Sequence, residues 1–335
     1  MDLRKFGRII RNHFGFPKTI NWGYSLFICA IGTLLVYIGQ DLVTSIGSFP
    51  SKTSLTGFTL ISPALTVLAL LLPACTLFYD KKHPKDLIVD TIGSFTGLGP
   101  LILAFLSGIA LMLIRVPLHN LTVWLWLRIG RTPIFPAFFF VNDPGSKVEK
   151  VLSFIVGTVI PGFGTSMFFT GLMWACFSKK EKKLAGLIIA LAASVFSLNF
   201  FDFIPTFVIT LWLCFLRDTV NNVFGPFLAL AGSGLMQIFF ERFVKEVDIT
   251  MIQVYSDIDS TYFYSSLPAC LVGFILLMFL TKSLNEFRDS YRTDFTVSDD
   301  NEETPLFGKG INIALICAVI IFAVLWILLL RGDRK

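Results

Sequence analysis

Long apolar runs separated by short polar segments dominate the chain. Most of these runs are close to the ~20 residues that a helix needs to cross roughly 30 Å of bilayer hydrocarbon. The apolar residues are continuous and do not alternate with polar ones, so the pattern predicts helices and not the strands of a membrane barrel. We predict an all-α polytopic integral membrane protein, a bundle of eight or nine transmembrane helices. The predicted spans lie near residues 21–40, 57–79, 97–115, 151–177, 184–202, 204–216, 226–244, 264–281 and 310–330.

The distribution of lysine and arginine predicts the orientation of these spans. Cytoplasmic segments of membrane proteins are enriched in both residues. The basic segment 1–20 therefore places the amino terminus in the cytoplasm, and the SKKEKK run at 178–183 then falls on the same side. The first run is too long for a cleaved signal peptide and has no small-residue cleavage site, so we predict an uncleaved signal-anchor. The tail RGDRK would also prefer the cytoplasm, and the side of the carboxyl terminus stays open.

The same patterns divide the chain into segments of different character. Residues 283–309 are polar and locally acidic, a composition that is typical of a flexible linker. The stretch 116–150 mixes tryptophan, phenylalanine, arginine and proline, as an interfacial or re-entrant segment does. The predicted order is a basic interfacial segment (1–20), amino-terminal membrane helices with that interfacial stretch (21–150), a core (151–244), an outer loop with the eighth span (245–282), the linker (283–309), and the last membrane helix with a basic tail (310–335).

Overall composition narrows the class of function. The chain is 54% hydrophobic with a mean hydropathy of +0.73, so its net charge of +5 indicates contact with anionic lipid at the cytoplasmic face and not with nucleic acid. The six cysteines lie in separate apolar runs and form no CxxC pair. This spacing predicts neither a disulfide framework nor a zinc site. We expect no metal and no cofactor.

Ionisable residues inside a membrane span are candidates for function because burying a charge there is costly. The candidates among the central spans are Asp202, Arg217 and Asp218, with Glu241 and Arg242 near the outer face. A lone charge at the end of a span usually faces headgroups or water, and we predict a candidate charged site at Asp202, Arg217 and Asp218. All three histidines, His119 among them, are expected to lie outside the spans. This distribution argues against an ion pump and against a metal hydrolase.

The segment VGTVIPGFGTSMFFTGLMW, residues 156–174, is unusual for a membrane helix because it is rich in glycine, proline and hydroxyl groups. Small residues every four positions let helix backbones approach closely. Proline and glycine can kink the helix, and hydroxyls can bond to the freed carbonyl groups. The segment therefore predicts either tight helix packing or a hydroxyl-lined cavity for a partner helix or lipid. The residues assigned to these roles are Pro161, Gly162, Gly164, Thr165, Ser166, Thr170, Asn199 and Ser233.

Residues 156–240 also follow a recognisable order. A hydroxyl-rich span with proline and glycine is followed by a basic turn, an apolar helix with SVFSLNF, and a short span that closes in CFLRDTVNNVFGPFLALAGSGL. This order resembles the CPBP family, the bacterial relatives of the eukaryotic CAAX prenyl endopeptidase, also called Abi. The resemblance covers about a quarter of the chain. It implies a CPBP-like core over 151–244 and a location in a bacterial plasma membrane.

The family's catalytic positions hold other residues in this chain. Family members have P-x-x-E-E-x-x-x-R-G in one helix, F-x-x-x-H in the next, and A-P-x-x-x-H-x-x-x-N later. None of the residues at the matching positions here can take a proton from water near neutral pH. The resemblance therefore implies a scaffold that has lost hydrolysis. The positions are occupied by Thr165, Ser166, Thr170, Phe200, Leu230 and Gly234.

Three functions are compatible with these observations. The leading hypothesis is a catalytically degenerate CPBP-like scaffold or regulator of another integral or membrane-anchored protein, such as a cell-wall hydrolase or sensor kinase, bound through its transmembrane helix. One alternative is an active CAAX-type intramembrane endopeptidase in which Asp202, or Glu241 with Asn199, acts as acid or base. The third is a transporter or a bacteriocin self-immunity protein.

Overall fold

A computed structural model of the chain describes part of its residues: 22–46, 91–94, 97–129, 151, 154–177, 179–198, 200–240, 246–247, 256, 258–294 and 307–331. Within these ranges the chain is mostly helical and contains no strand. Three of the described helices are long and apolar enough to cross a membrane, at Leu98–Arg128, Phe203–Val220 and Thr261–Asp289. The helical class is therefore confirmed, and the eight or nine spans stay a prediction.

We number the helices in chain order. The third helix is built from three consecutive pieces, because the widened i→i+5 turns of π-helix flank a short α-helical piece. The described helices are α1 (Trp22–Ile46), α2 (Leu98–Arg128), α3 (Ile155–Val159, Ile160–Thr165 and Ser166–Met173), α4 (Lys182–Phe196), α5 (Phe203–Val220), α6 (Phe224–Phe240), α7 (Thr261–Asp294) and α8 (Ile313–Arg331).

The chain forms two compact units. The first comprises Met1–Ser94, Phe140–Ala185 and Glu302–Leu325, and the second comprises Phe95–Phe139, Gly186–Asn301 and Trp326–Lys335. The predicted core segment 151–244 is thus divided between the two units.

Helix α2 is the centre of the second unit, where it packs against α6 and α7. Glycines permit this packing at three places. A Cβ atom on Gly108 would lie 1.8 Å from the carbonyl oxygen of Ala229, and one on Gly232 would lie 2.3 Å from the carbonyl oxygen of Phe105. A Cβ on Gly273 of α7 would lie 2.9 Å from the backbone of α2. The helix backbones are therefore in direct contact, as small residues allow in membrane bundles.

Helix α2 also extends further than the sequence predicts. It continues through residues 116–128, which were assigned to an interfacial stretch, and Pro117 lies inside it. The sequence places His119 outside the predicted spans; in the structure it is buried within this helix. The helix tolerates its polar residues because they have partners. Fully buried Asn120 accepts a hydrogen bond from the Val247 amide at 2.9 Å and donates one to the Tyr262 carbonyl at 3.3 Å.

In the first unit, a lysine closes the carboxyl-terminal end of α3. Lys182 donates from Nζ to the carbonyl oxygens of Trp174 at 3.0 Å and Phe177 at 3.2 Å. The same ammonium group lies 4.7 Å from the centre of the Trp174 ring. The last carbonyls of a helix have no partner within the helix, so a lysine here satisfies them and favours the negative end of the helix dipole.

We expect Lys182→Met to loosen this end of α3, because methionine keeps part of the apolar stem but cannot donate a hydrogen bond. The loss of about 1 kcal/mol should speed thiol labelling of the buried Cys176 about fivefold in detergent. Lys183→Met is the matched control, since Lys183 is exposed in the same turn. Equal labelling rates in both variants would contradict this role of Lys182.

Candidate functional site

The hydroxyl-rich segment of α3 uses its threonines within its own helix. Thr165 donates from Oγ1 to the carbonyl oxygen of Pro161 at 2.8 Å and to that of Gly162 at 3.2 Å. Thr170 donates to the carbonyl oxygen of Ser166 at 2.8 Å. The predicted bonding of hydroxyls back to carbonyls of the same helix is therefore confirmed for both threonines.

The small residues of the same segment are covered. Gly162, Gly164, Ser166 and Thr170 are all buried, whereas Pro161 is half-buried. This burial fits the tight-packing interpretation of the stripe, since a groove open to a partner helix would leave these residues exposed. Helix α1 contacts the Ser166–Met173 piece within the first unit.

The remaining family-matched positions serve packing in the second unit. Phe200 stacks on Trp126 with ring centroids 4.7 Å apart. Leu230 is half-buried, and its carbonyl accepts a hydrogen bond from Ser233 Oγ at 2.8 Å. Gly234 is buried in α6. Asn199 and Glu241, named for the endopeptidase alternative, lie outside the described residues.

The three residues of the predicted charged site, Asp202, Arg217 and Asp218, lie at two separate places. Asp202 directly precedes α5, whereas Arg217 and Asp218 lie near the other end of that helix. At 1.5 Å per residue this separates Asp202 from Arg217 by about 23 Å along the axis. Arg217 is buried and Asp218 is half-buried. Asp202 has other partners, which the sequence did not predict.

These partners form a charged cluster with Asp202 in the second unit. Nδ1 of His119 lies 3.0 Å from Oδ1 of Asp202, and Nη2 of Arg115 lies 3.5 Å from the same oxygen. Arg115 also reaches Glu246 Oε1 at 4.0 Å and donates from Nη1 to Gln237 Oε1 at 3.5 Å. We call His119, Arg115, Asp202, Glu246 and Gln237 the Arg115 cluster. It joins α2 to the turn before α5, to α6 and to the segment after α6.

The Arg115 cluster is buried on one side and open on the other. The side chain of His119 is 7% exposed, whereas those of Arg115, Asp202 and Glu246 are 24%, 22% and 26% exposed. Water or headgroups can therefore reach the two carboxylates and the guanidinium but hardly the imidazole. One guanidinium faces two carboxylates, so the cluster holds a surplus of negative charge when His119 is neutral.

The charges around the His119–Asp202 hydrogen bond determine which of the two residues holds the proton. Burial raises the pKa of Asp202, but the charge of Arg115 and the hydrogen bond from His119 outweigh burial and hold this pKa well below its usual value. An ionised carboxylate can only accept, so Nδ1 of His119 holds the proton. In the neutral imidazole Nε2 is then an acceptor. The ionised Asp202 therefore stabilises the folded protein at every pH above the ordinary pKa of an aspartate. This stabilisation is lost only as the pH falls through the lowered pKa of Asp202.

This arrangement can do two things. Its ion pairs and hydrogen bonds can hold together α2, the turn before α5, α6 and the segment after α6. It can also orient the imidazole of His119 as a base, as carboxylate–histidine pairs do in hydrolases. Among the described residues no group of three or more His, Cys, Asp or Glu is placed to hold a metal ion. The spacing of Arg115 and His119 is a signal present in the sequence, since residues four apart lie on one helix face.

No family model, curated protein or solved structure matches the chain.

Proposed function

We propose that this chain is an integral membrane protein that binds and regulates another membrane protein without cleaving it. The observation that supports this most directly is the state of α3. Its threonine hydroxyls are bonded to backbone carbonyls, and its small residues are buried. The residues of α3, the helix that resembles the catalytic helix of the CPBP family, thus serve packing and hydrogen bonding within the protein. This helix has no side chain that could activate water.

The surface of α7 offers a place for a partner's transmembrane helix. Only 17% of the most apolar 18-residue stretch of α7 is buried, and the exposed side chains of this helix are large and apolar. In a bilayer such a face meets lipid tails or another apolar helix. Because the small-residue stripe of α3 is covered, we assign the partner contact to α7. Its exposed apolar residues include Leu267, Leu271, Val272, Phe274, Ile275, Met278 and Phe279.

The proposed location follows the same reasoning. Three helices of spanning length support a membrane protein, and the lysine-rich turn at 178–183 favours a cytoplasmic position for that turn. Anionic lipid would contact these lysines. The bacterial plasma membrane, with the amino terminus in the cytoplasm, is the setting that we propose.

Photocrosslinking from α7 tests this proposal. A photoreactive amino acid replaces Leu271, which is 62% exposed, or Leu284 of the same helix, which is fully buried. We expect a discrete protein adduct from position 271 in living cells and none from position 284. If exposed positions along α7 yield only lipid adducts, the proposed binding function fails.

The His119–Asp202 contact favours a second candidate function. An oriented imidazole could activate water for peptide hydrolysis, a displaced version of the endopeptidase alternative. His119→Gln and Asp202→Asn would each abolish such cleavage, because glutamine is not a base and asparagine does not fix the imidazole tautomer. Cleavage that persists in both variants would rule this candidate out.

A further inference from the structure

Helix α3 changes its winding twice along its length. The pieces Ile155–Val159 and Ser166–Met173 are π-helical, five and eight residues long, and Ile160–Thr165 between them is α-helical. At the first change the Ile160 amide donates to the carbonyl oxygen of Ile155, five residues back. A π-helix is rare, occurs mostly as a single turn inside an α-helix, and is frequent at functional sites. Two such pieces in one helix therefore mark α3 as a place where the winding of the chain can change.

The carboxyl-terminal half of α3 is held firmly within the first unit. Just beyond it, Cys176 Sγ lies 3.7 Å from Ser25 Oγ of α1, and the Phe177 ring stacks on that of Trp22 with centroids 6.1 Å apart. Lys182 satisfies the last carbonyls. This half is therefore fixed to α1 and to the turn that follows α3. Its large side chains are fully or almost fully buried, namely Phe168, Phe169, Leu172 and Met173.

The amino-terminal half of α3 is packed differently, because its buried positions are glycines. Ile155, Ile160 and Phe163 are 43%, 38% and 37% exposed, whereas Gly162 and Gly164 are buried. A glycine lets a neighbouring backbone approach but has no side chain that interlocks with it. Proline at 161 also removes one backbone donor from this half. The amino-terminal half is therefore held by fewer interlocking side chains than the carboxyl-terminal half.

Ser166 lies where the winding changes from α to π. It is 1% exposed, and its hydroxyl has no hydrogen-bond partner among the described residues. A buried hydroxyl without a partner is unfavourable, and helical serines commonly bond to a carbonyl three or four residues back. The present winding therefore leaves an unfavourable group at the junction of the two halves, and a different winding can relieve it.

We infer that α3 is a switch between two windings, in which the half Ile155–Thr165 turns relative to the half Ser166–Met173. When one π turn rewinds as α-helix, the extra residue moves the amino-terminal half by about 100° around the axis and about 1.5 Å along it, the step of one helical residue. The glycine face of this half then points in another direction. This switch is independent of the proposed function, and its failure would leave that function untouched.

Distances between spin labels in the full-length chain, reconstituted in liposomes, test this inference. One label is attached at Leu35→Cys of α1, which is 56% exposed, and the other at Ile160→Cys or Phe163→Cys of the amino-terminal half. Leu35→Cys with Leu184→Cys is the control pair, because Leu184 is exposed in α4 just after the fixed end of α3. The buried native cysteines are kept, and Cys75, Cys270 and Cys317 are replaced by alanine.

We expect two distances for at least one of the pairs 35–160 and 35–163, and one distance for the control pair. A turn of about 100° moves a surface position by about 8 Å on a helix about 11 Å across, which sets the largest separation of the two distances. A single distance for both test pairs, as narrow as that of the control pair, would overturn the inference.

Deletion of Met167 tests the origin of the two distances. Met167 is a half-buried residue of the second π-helical piece, and without it this piece winds as α-helix while the amino-terminal half keeps its present direction. We expect one distance in this variant for the pair that shows two in the wild type. Two distances that persist after the deletion would exclude the π turn as the switch. If the deletion variant does not fold, the wild-type distances still decide the inference.

Discussion

Gly108→Ala is expected to destabilise the second unit by about 3 kcal/mol, at the upper end of the usual cost of overpacking. The added methyl group would lie 1.8 Å from the carbonyl oxygen of Ala229 and 2.6 Å from its carbonyl carbon. Backbone atoms cannot move aside as a flexible side chain can, so α2 and α6 must separate. The measurement is the temperature at which half of the detergent-solubilised protein is lost from its gel-filtration peak.

Gly186→Ala is the control for this substitution. Gly186 is also a buried helical glycine, but its new methyl group would meet Cys214 Cβ at 3.6 Å, an ordinary contact. Alanine is the better helix former by up to about 1 kcal/mol, so this variant should be as stable as the wild type or more stable. A Gly108→Ala protein with the thermal stability of the Gly186→Ala protein would contradict the close approach of α2 and α6.

Arg115→Met is the second substitution with a large expected effect. It removes the positive charge that faces Asp202 and Glu246 but keeps much of the apolar stem. Removing one partner of a largely buried ion pair typically costs 3–5 kcal/mol, and partial exposure of this cluster reduces that to about 2–3 kcal/mol. The same thermal assay should show the loss, and adding Asp202→Asn to the variant should recover part of it.

Arg128→Met is the matched control, because Arg128 is an exposed arginine of the same helix whose guanidinium lies over the Trp124 ring at 4.9 Å. Its loss should cost less than about 1 kcal/mol. If the two methionine variants are equally stable, or if Asp202→Asn adds fully to Arg115→Met, the Arg115 cluster does not act as a unit.

Local sequence patterns were sufficient for the helical class and for the chemistry of α3. The threonines at 165 and 170 predict hydroxyls that bond back to carbonyls of their own helix, and these bonds form between neighbours one turn apart. The small-residue stripe was also recognised there. Among the described residues, close helix approaches are elsewhere, at Gly108 and Gly232, because such approaches depend on which helices meet. A single helix contains no information about its neighbour.

The same limit explains why the Arg115 cluster was missed. The mixture of tryptophan, phenylalanine, arginine and proline in 116–150 predicts an interfacial segment where α2 in fact continues. The acidic residues that make Arg115 and His119 tolerable there follow much later, at 202 and 246 in the sequence. Polar residues after an apolar run are compatible both with the end of a helix and with a helix that continues with a polar face. The sequence does not distinguish the two until the residues that contact this polar face are known. The resemblance to the CPBP family depends on spacing within 156–240, and it stays a prediction.

The central claim is that this chain binds its partner without cleaving it, and comparing protein amino termini in cell membranes tests it most directly. Membranes from cells with and without the chain are compared, together with cells that express His119→Gln or Asp202→Asn. We predict the same set of internal amino termini in all four. An internal terminus that depends on the wild-type chain and disappears in both variants would contradict the claim and would establish the Arg115 cluster as a site of hydrolysis.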